Sequence, residues 1–234
     1  MAGAVFFRIR SFAPLPIIFV VLTQAWRSHV HPGPGGPQVD HLLNAVGLGL
    51  CCLGALTRFV TVGLIPPGSS STSRQLSSHA LNTGGPYAVV RHPLYLGNLF
   101  ITVGLLSIAN EPWAWTLGFG YFLLSHGFII HAEERLLRRT FGASYDEWAA
   151  RVPGWWPRLS GLRSLEGPFA WKRALQREVN PLVGWGMGAT LLLMWESFAR
   201  TELTSTLGNK GLLVLAGFLV LLVANKVWKK WSRA

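Results

Sequence analysis

LNTGGPYAVVRHPLY, residues 81–95, is the stretch whose reading decides how this chain folds. It joins a loop carrying Gly84, Gly85 and Pro86 to the head of a long apolar segment, and it sets Tyr87, Arg91, His92 and Tyr95 at a membrane–water boundary. Polar groups at such a depth are costly, so their concentration there marks a site. An apolar hairpin then leads to EERLLRRTFGASYDEWAARVP, residues 133–153, a second polar anchor opening on Glu133 and Glu134. The hairpin is flanked by the two anchors.

Composition agrees with a membrane reading. Of 234 residues, 50% are hydrophobic and 13% charged, with mean hydropathy +0.34, too apolar for a soluble domain and in keeping with several spans. A formal charge of +11 raises the question of nucleic acid. The Lys and Arg are dispersed around apolar segments with no basic groove motif, so anionic lipid headgroups are the expected partner instead. Cys51 and Cys52 are adjacent inside an apolar run and read as packing residues, not as a disulfide framework or metal site.

Working outward, the pattern predicts about six transmembrane helices in an all-α polytopic membrane protein. The first is an apolar run from Phe12 to Trp26, kept as a span because no small-residue cleavage pattern follows it. A Pro- and Gly-rich loop, Val30 to Gln38, carries His29, His31 and His41 around it at no metal-ligand spacing. A second span from His41 to Ile65 contains Gly47, Gly49 and Gly54, suited to close helix approach. Arg58 interrupts it, either buried against a carboxylate or snorkelling to an interface. Pro66 to His79 reads as a flexible loop. The third span begins at Pro93 and ends at Ala109; Asn110-Glu111-Pro112 turns the chain, and Trp113 to Ile130 is the fourth. Interfacial segments are expected up to Asn180, then spans from Pro181 to Ala199 and from Gly211 to Val227.

Beyond Ile130, Glu133, Leu137, Phe141, Tyr145 and Trp148 recur at three or four residues, the stripe of a helix extending from the fourth span into water. Glu133 lies on that stripe. Glu134 is rotated by about 100° and is predicted to pair with Arg138 on the surface. Arg8, Arg10, Arg74, Arg91, the nine basic residues from Arg135 to Arg177, and the basic tail then share one side, against Arg27, Arg200 and Lys210 on the other. That asymmetry predicts both termini and the site in the cytoplasm, in a bacterial inner membrane.

GPYAVVRHPLYLG, a hydrophobic hairpin and EERLLRRTFGASYDEWAARVP, in this order and spacing, resemble the isoprenylcysteine carboxyl methyltransferases and the related phospholipid methyltransferases. The resemblance covers about residues 79–157, a methyltransferase core between an N-terminal region (1–78) and a C-terminal one (158–234). It implies an integral membrane enzyme using S-adenosyl-L-methionine bound by His79, Leu81, Tyr87, His92, Pro93, Leu94, Tyr95 and Glu133. A carboxylate such as Glu133 suits the cofactor's ammonium, and Tyr and His suit its carboxylate, ribose or adenine. Arg91 and His126 are the candidates for the reacting side, with His126 either facing substrate or packing between helices. No metal is implied.

Methyl transfer from a sulfonium is an in-line displacement, so alignment in a dry site supplies much of the rate. The resemblance favours carboxyl O-methylation of an amphiphilic or lipid-like acceptor of the isoprenylcysteine type. One departure counts against prenylcysteine: the eukaryotic carboxyl methyltransferases carry an arginine four residues before the first glutamate, and this chain has Ile129 there. A small thiol or a phospholipid amine is the alternative acceptor. A non-catalytic membrane scaffold or transporter subunit is the alternative of another class.

Overall fold

The computed structural model describes residues 36–65, 81–165, 167–200 and 206–232. Helix α1 (Gly36–Leu64) and helix α3 (Pro93–Ala109) form the pair on which the rest is assembled. Gly54 of α1 faces Gly97 of α3 so closely that a Cβ at Gly54 would stand 2.5 Å from the Gly97 carbonyl oxygen. One at Gly47 would stand 2.6 Å from that of Gly104. Missing side chains let the two backbones touch, and the pairing order makes the helices antiparallel. Gly49, predicted to share this role, meets nothing within 4 Å because it lies on another face.

Between them, α2 (Pro86–Val89) is a single turn entered through Gly85, whose φ of 55° is one that L side chains rarely adopt. Pro93 starts α3 in the first turn, where a missing N–H costs nothing. Asn110 ends α3 in the left-handed region at φ 45°, and Pro112 opens α4 (Pro112–Phe141) two residues later. Helix α4 runs antiparallel to α3 and carries a π-helical turn at Trp115–Phe119. Both helices of the predicted hairpin are therefore present, the second extended as one helix beyond Ile130.

That extension stops sooner than its apolar stripe. Gly142, at φ 52°, ends α4, and α5 (Ala143–Arg151) sets off in a new direction. Tyr145 and Trp148 thus belong to a separate helix, which folds back on Leu81, Tyr87, Leu137 and Phe141. A short 3₁₀ turn, Leu159–Ser164, follows.

Helix α6 (Trp171–Arg200) corrects the expected interfacial stretch: it is helical from Trp171 and carries Pro181 in its interior instead of starting there. Its first turns are anchored to the end of α1, where Arg173 donates to the carbonyls of Val62, Gly63 and Ile65 and satisfies acceptors the helix end leaves over. Helix α7 (Thr206–Trp231) packs on α6, with Phe218 against Gly186 and Asn225 donating to Asn180 at 3.0 Å. Leu106, Ile108, Ala114, Ala189 and Leu192 make a core where α3, α4 and α6 meet.

The described residues are helical or irregular. Three helices, Gln38–Leu64, Pro112–Phe141 and Lys210–Trp231, are long and apolar enough to cross a membrane, and Pro93–Ala109 is a shorter apolar helix. The span at Phe12–Trp26 lies outside the described residues, as do His29, His31 and His79. Helix α1 begins at Gly36, inside the stretch read as loop. Cys51 is buried as expected, whereas Cys52 is exposed.

Candidate functional site

The residues of 81–95 and the end of α4 come together around two carboxylates. Tyr95, in the first turn of α3, donates its hydroxyl to Glu133 Oε2 at 2.8 Å. His92 precedes that turn, is 7% exposed, and its Nε2 lies 2.9 Å from Glu134 Oε1. The same oxygen is 2.9 Å from Arg91 Nη1. An ionised carboxylate only accepts, so the His92 Nε2 carries the hydrogen. Two donors on one oxygen, partly shielded from water, outweigh an exposed pair along the helix. The predicted Glu134–Arg138 pairing is accordingly absent: Arg138 bonds Asp146 at 2.7 Å and lies over the Tyr145 ring. The 100° between Glu133 and Glu134 does not separate site from surface, because residues 91–95 straddle both directions.

Around this centre the chain is tied by backbone as well as side chain. Trp148 Nε1 donates to the Tyr87 carbonyl at 3.2 Å, Arg91 N–H to Pro153 O at 2.9 Å, and Arg158 N–H to Val89 O at 2.8 Å. Gly161 sits against the Ala88 carbonyl with no room for a Cβ. The segment 148–161 thus clasps the turn that carries Tyr87. Burial first, and the charge of Glu133 second, push the Tyr87 phenol well above its ordinary pKa, so it is a neutral donor beside that carboxylate. Tyr145 is likewise raised by burial and by Glu134, and it sits beside Arg91.

Of the predicted site residues, Tyr87, Arg91, His92, Tyr95 and Glu133 therefore meet in one place. Pro93 is buried and shapes the turn; Leu81 packs on the Tyr145–Trp148 cluster; Leu94 is half-buried. His126 lies deeper along α4, stacked on Phe122 at 3.9 Å between ring centres and edge-on to Tyr95 at 5.6 Å. Its Nε2 is 3.4 Å from Asn98 Nδ2.

Three participants escape the sequence pattern. Glu134 reads as a surface residue, and Tyr145 as part of a continuous helix. The third is the partner of Arg58: Glu178 of α6 holds it through Nε at 2.8 Å and Nη2 at 3.1 Å, while Nη1 donates to Asn98 at 2.6 Å. The open alternatives for Arg58 resolve to burial against a carboxylate. Arg58 and Glu178 also border a cavity of about 400 Å³ between α1 and α6, otherwise walled by apolar side chains such as Phe59, Leu182 and Trp185.

The donor set fits S-adenosyl-L-methionine. Glu133 offers a carboxylate for an ammonium, Tyr87 is a neutral phenol next to it, and Gly84 opens on space where backbone can approach a ligand.

Described residues that are helical or irregular, helices fit to span a membrane and a carboxylate–tyrosine–histidine centre at the end of a helical hairpin define the class: a helical protein of membrane type with a polar site at one end of its bundle. Residues 42–144 match the phospholipid methyltransferase family model. A nickel–cobalt–cadmium resistance protein of Alcaligenes xylosoxydans is 33% identical over 123 residues, 53% of this chain and 57% of that protein. A cobalt–zinc–cadmium resistance protein of Cupriavidus metallidurans is 32% identical over 52% of this chain and 54% of its own length. The protein-S-isoprenylcysteine O-methyltransferase of Tribolium castaneum is 30% identical over 56% and 47%, respectively. The chain thus spans about half the length of the curated relatives it matches. No solved structure matches it. Over its matched core, the chain is similar to the phospholipid methyltransferase family and to proteins named as protein-S-isoprenylcysteine O-methyltransferases.

Proposed function

We propose that this protein is an S-adenosyl-L-methionine-dependent membrane methyltransferase with an amphiphilic or lipid-like acceptor. The meeting of Tyr87, His92, Tyr95 and Glu133 at one end of the α3–α4 hairpin carries the reading. The core is residues 79–157, the bundle is polytopic, and the site faces the cytoplasm, as the distribution of Lys and Arg supports.

When bound, the cofactor supplies an electrophilic methyl on a sulfonium. The chain itself binds and orients. Glu133 takes the ammonium, aimed by the Tyr95 hydroxyl. Tyr87, neutral across the physiological range, donates to an acceptor group of the cofactor, and the 81–85 loop lends backbone N–H groups. Glu134 does not touch the cofactor; it holds Arg91 and His92 so that the turn into α3 keeps its shape. His126 stands on the acceptor side. The half-open cavity between α1 and α6 supports an acceptor with an apolar chain, since its walls are apolar. Carboxyl O-methylation is the reaction the isoprenylcysteine relatives suggest; amine and thiol heads are the alternatives.

Calorimetric titration with S-adenosyl-L-methionine and S-adenosylhomocysteine tests the cofactor. Saturable binding, weakened in Glu133→Ala by about 1.5–3 kcal/mol for one lost charged hydrogen bond, is the expected result. Absence of binding by folded protein in nanodiscs would return the chain to the scaffold reading. Labelled-methyl transfer to a series of acceptors of increasing apolar chain length tests the rest, with transfer expected to rise with length.

A further inference from the structure

Helices α6 and α7 lie beyond the family-matched residues, yet α6 reaches into that core through Glu178. Arg58 is gripped by both oxygens of that carboxylate, and the pair is little exposed, at 15% and 11% of side-chain surface. Gripped this way, the guanidinium has its remaining nitrogen aimed at Asn98, 2.6 Å away.

That contact determines more than a distance. A guanidinium has hydrogens to give and no lone pair to accept with, so the Asn98 atom facing it is the oxygen. The amide nitrogen therefore faces His126, 3.4 Å from Nε2. Two N–H groups cannot point at each other, so Nε2 is bare and the ring hydrogen sits on Nδ1. There the Phe122 carbonyl, at 3.2 Å, receives it. Ser125, whose hydroxyl is 3.2 Å from that same carbonyl and 3.3 Å from Nδ1, donates to the first and offers a lone pair to the second. Every neighbour agrees on one tautomer, an assignment made from the network as a whole.

We propose that Arg58 and Glu178 are positioning residues that, through Asn98, hold His126 as the Nδ1–H tautomer and present its bare Nε2 as a hydrogen-bond acceptor on the methyl-acceptor side of Tyr95. Helix α6 thereby acts on the matched core: its carboxylate orients the guanidinium, which orients the amide, which decides the imidazole. Such relays are how outer partners select which ring nitrogen is protonated. His126 lies between the two polar centres, in contact with Tyr95 on one side and with Asn98 on the other. The tautomer stands on geometry alone; its consequence for turnover rests on the methyltransferase reading.

The test is nitrogen NMR of the full chain, labelled at histidine and held in nanodiscs, with the His126 signal identified by its loss in His126→Gln. Wild type is expected to show Nδ1–H. Asn98→Asp places a second lone pair against Nε2 and is expected to move the hydrogen there, while Asn98→Leu is expected to give a mixture of tautomers. An Nε2–H signal in wild type, or an Asn98→Asp spectrum unchanged from it, overturns the proposal, and the wild-type spectrum decides even where the variants do not fold. In turnover, Asn98→Asp is expected to lower kcat/KM for the acceptor at least tenfold while S-adenosylhomocysteine affinity stays within about twofold. Equal loss of both would make the network merely structural. Nδ1–H without any cofactor binding would fail the methyltransferase reading and leave the tautomer standing.

Discussion

Tyr95 gives its hydroxyl hydrogen to Glu133 across 2.8 Å, and the two residues come from opposite arms of the hairpin. One bond thus joins the start of α3 to the end of α4 at the centre of the candidate site. Tyr95→Phe deletes the donor and keeps the ring, so Glu133 remains a carboxylate with one fewer hydrogen bond to aim it. Cofactor affinity is expected to fall by about 1–2 kcal/mol in Tyr95→Phe and by more in Glu133→Gln, which removes the charge as well. Calorimetry of the two variants side by side measures both. Equal affinity in wild type and Tyr95→Phe would separate this bond from binding.

Glu134 takes hydrogen bonds from both Arg91 and His92 at 2.9 Å, so its loss frees a cation and a buried imidazole together. Glu134→Leu, which removes the acceptor altogether, is expected to destabilise the fold by about 1–3 kcal/mol, the cost of leaving such groups unmatched. The surface pair that helical spacing alone predicts for Glu134 would be worth less than about 1 kcal/mol. Thermal unfolding in one detergent, compared with Arg138→Gln, discriminates, since Arg138 and Asp146 are both more than half exposed.

Legibility in the sequence followed chemical locality. Pro93 and the Asn110-Glu111-Pro112 turn are punctuation that acts on its own backbone, and α3 runs from Pro93 to Ala109 as read. Tyr87, His92 and Tyr95 read together because they share one short stretch, whereas Glu133, 38 residues beyond Tyr95, is joined to them by the family resemblance. Glu134 is misplaced by its spacing because helical rotation describes one helix, whereas Arg91 and His92 approach from another. Gly142 does not read as a stop because the apolar spacing continues through Tyr145 and Trp148. Arg58 announces itself as a charge in an apolar run, but its partner is 120 residues away, on a helix with no pattern linking the two. The long-range half of the site is three-dimensional information.

Backbone contact sets a steric prediction. Gly54→Val must push α1 away from the Gly97 carbonyl, which a Cβ would approach to 2.5 Å, and Gly161→Ala must push the 153–161 clasp away from the Ala88 carbonyl, against which its Cβ would clash. Neither neighbour is the mobile end of a side chain. Each variant is expected to lose about 1–3 kcal/mol, with Gly49→Ala as the neutral control. Chemical or thermal unfolding of the three variants reads the difference.

Burial raises the pKa of both Tyr87 and Tyr145, aided by Glu133 and Glu134 respectively. The folded chain therefore keeps these phenolic protons to higher pH than the unfolded chain, where tyrosine titrates near an ordinary value of about 10. Stability from this source is complete below that value and falls as pH rises through it, because the unfolded state then binds fewer protons. Tyrosinate absorbance against pH should show Tyr87 and Tyr145 titrating late. Tyr87→Phe and Tyr145→Phe should each remove one late step. An early step for Tyr87 would place its phenol in water, not beside Glu133.

The Arg58–Glu178 pair makes an asymmetric prediction. Each member is largely buried and each satisfies the other, so removing one leaves a charge in an apolar setting without its partner. Glu178→Leu and Arg58→Leu are each expected to cost about 3–5 kcal/mol, or to bring down expression of folded protein. The double variant Arg58→Leu/Glu178→Leu removes both charges, lines the cavity floor with apolar surface, and is expected to recover most of that loss. Stability alone would then count the pair as dispensable. If the pair also orients Asn98, the recovered double variant should still lose acceptor turnover, for the amide has lost the donor that told its oxygen from its nitrogen. Thermal unfolding and acceptor kinetics on the same preparation separate the two effects, and a double variant restored in both would reduce Arg58 and Glu178 to packing.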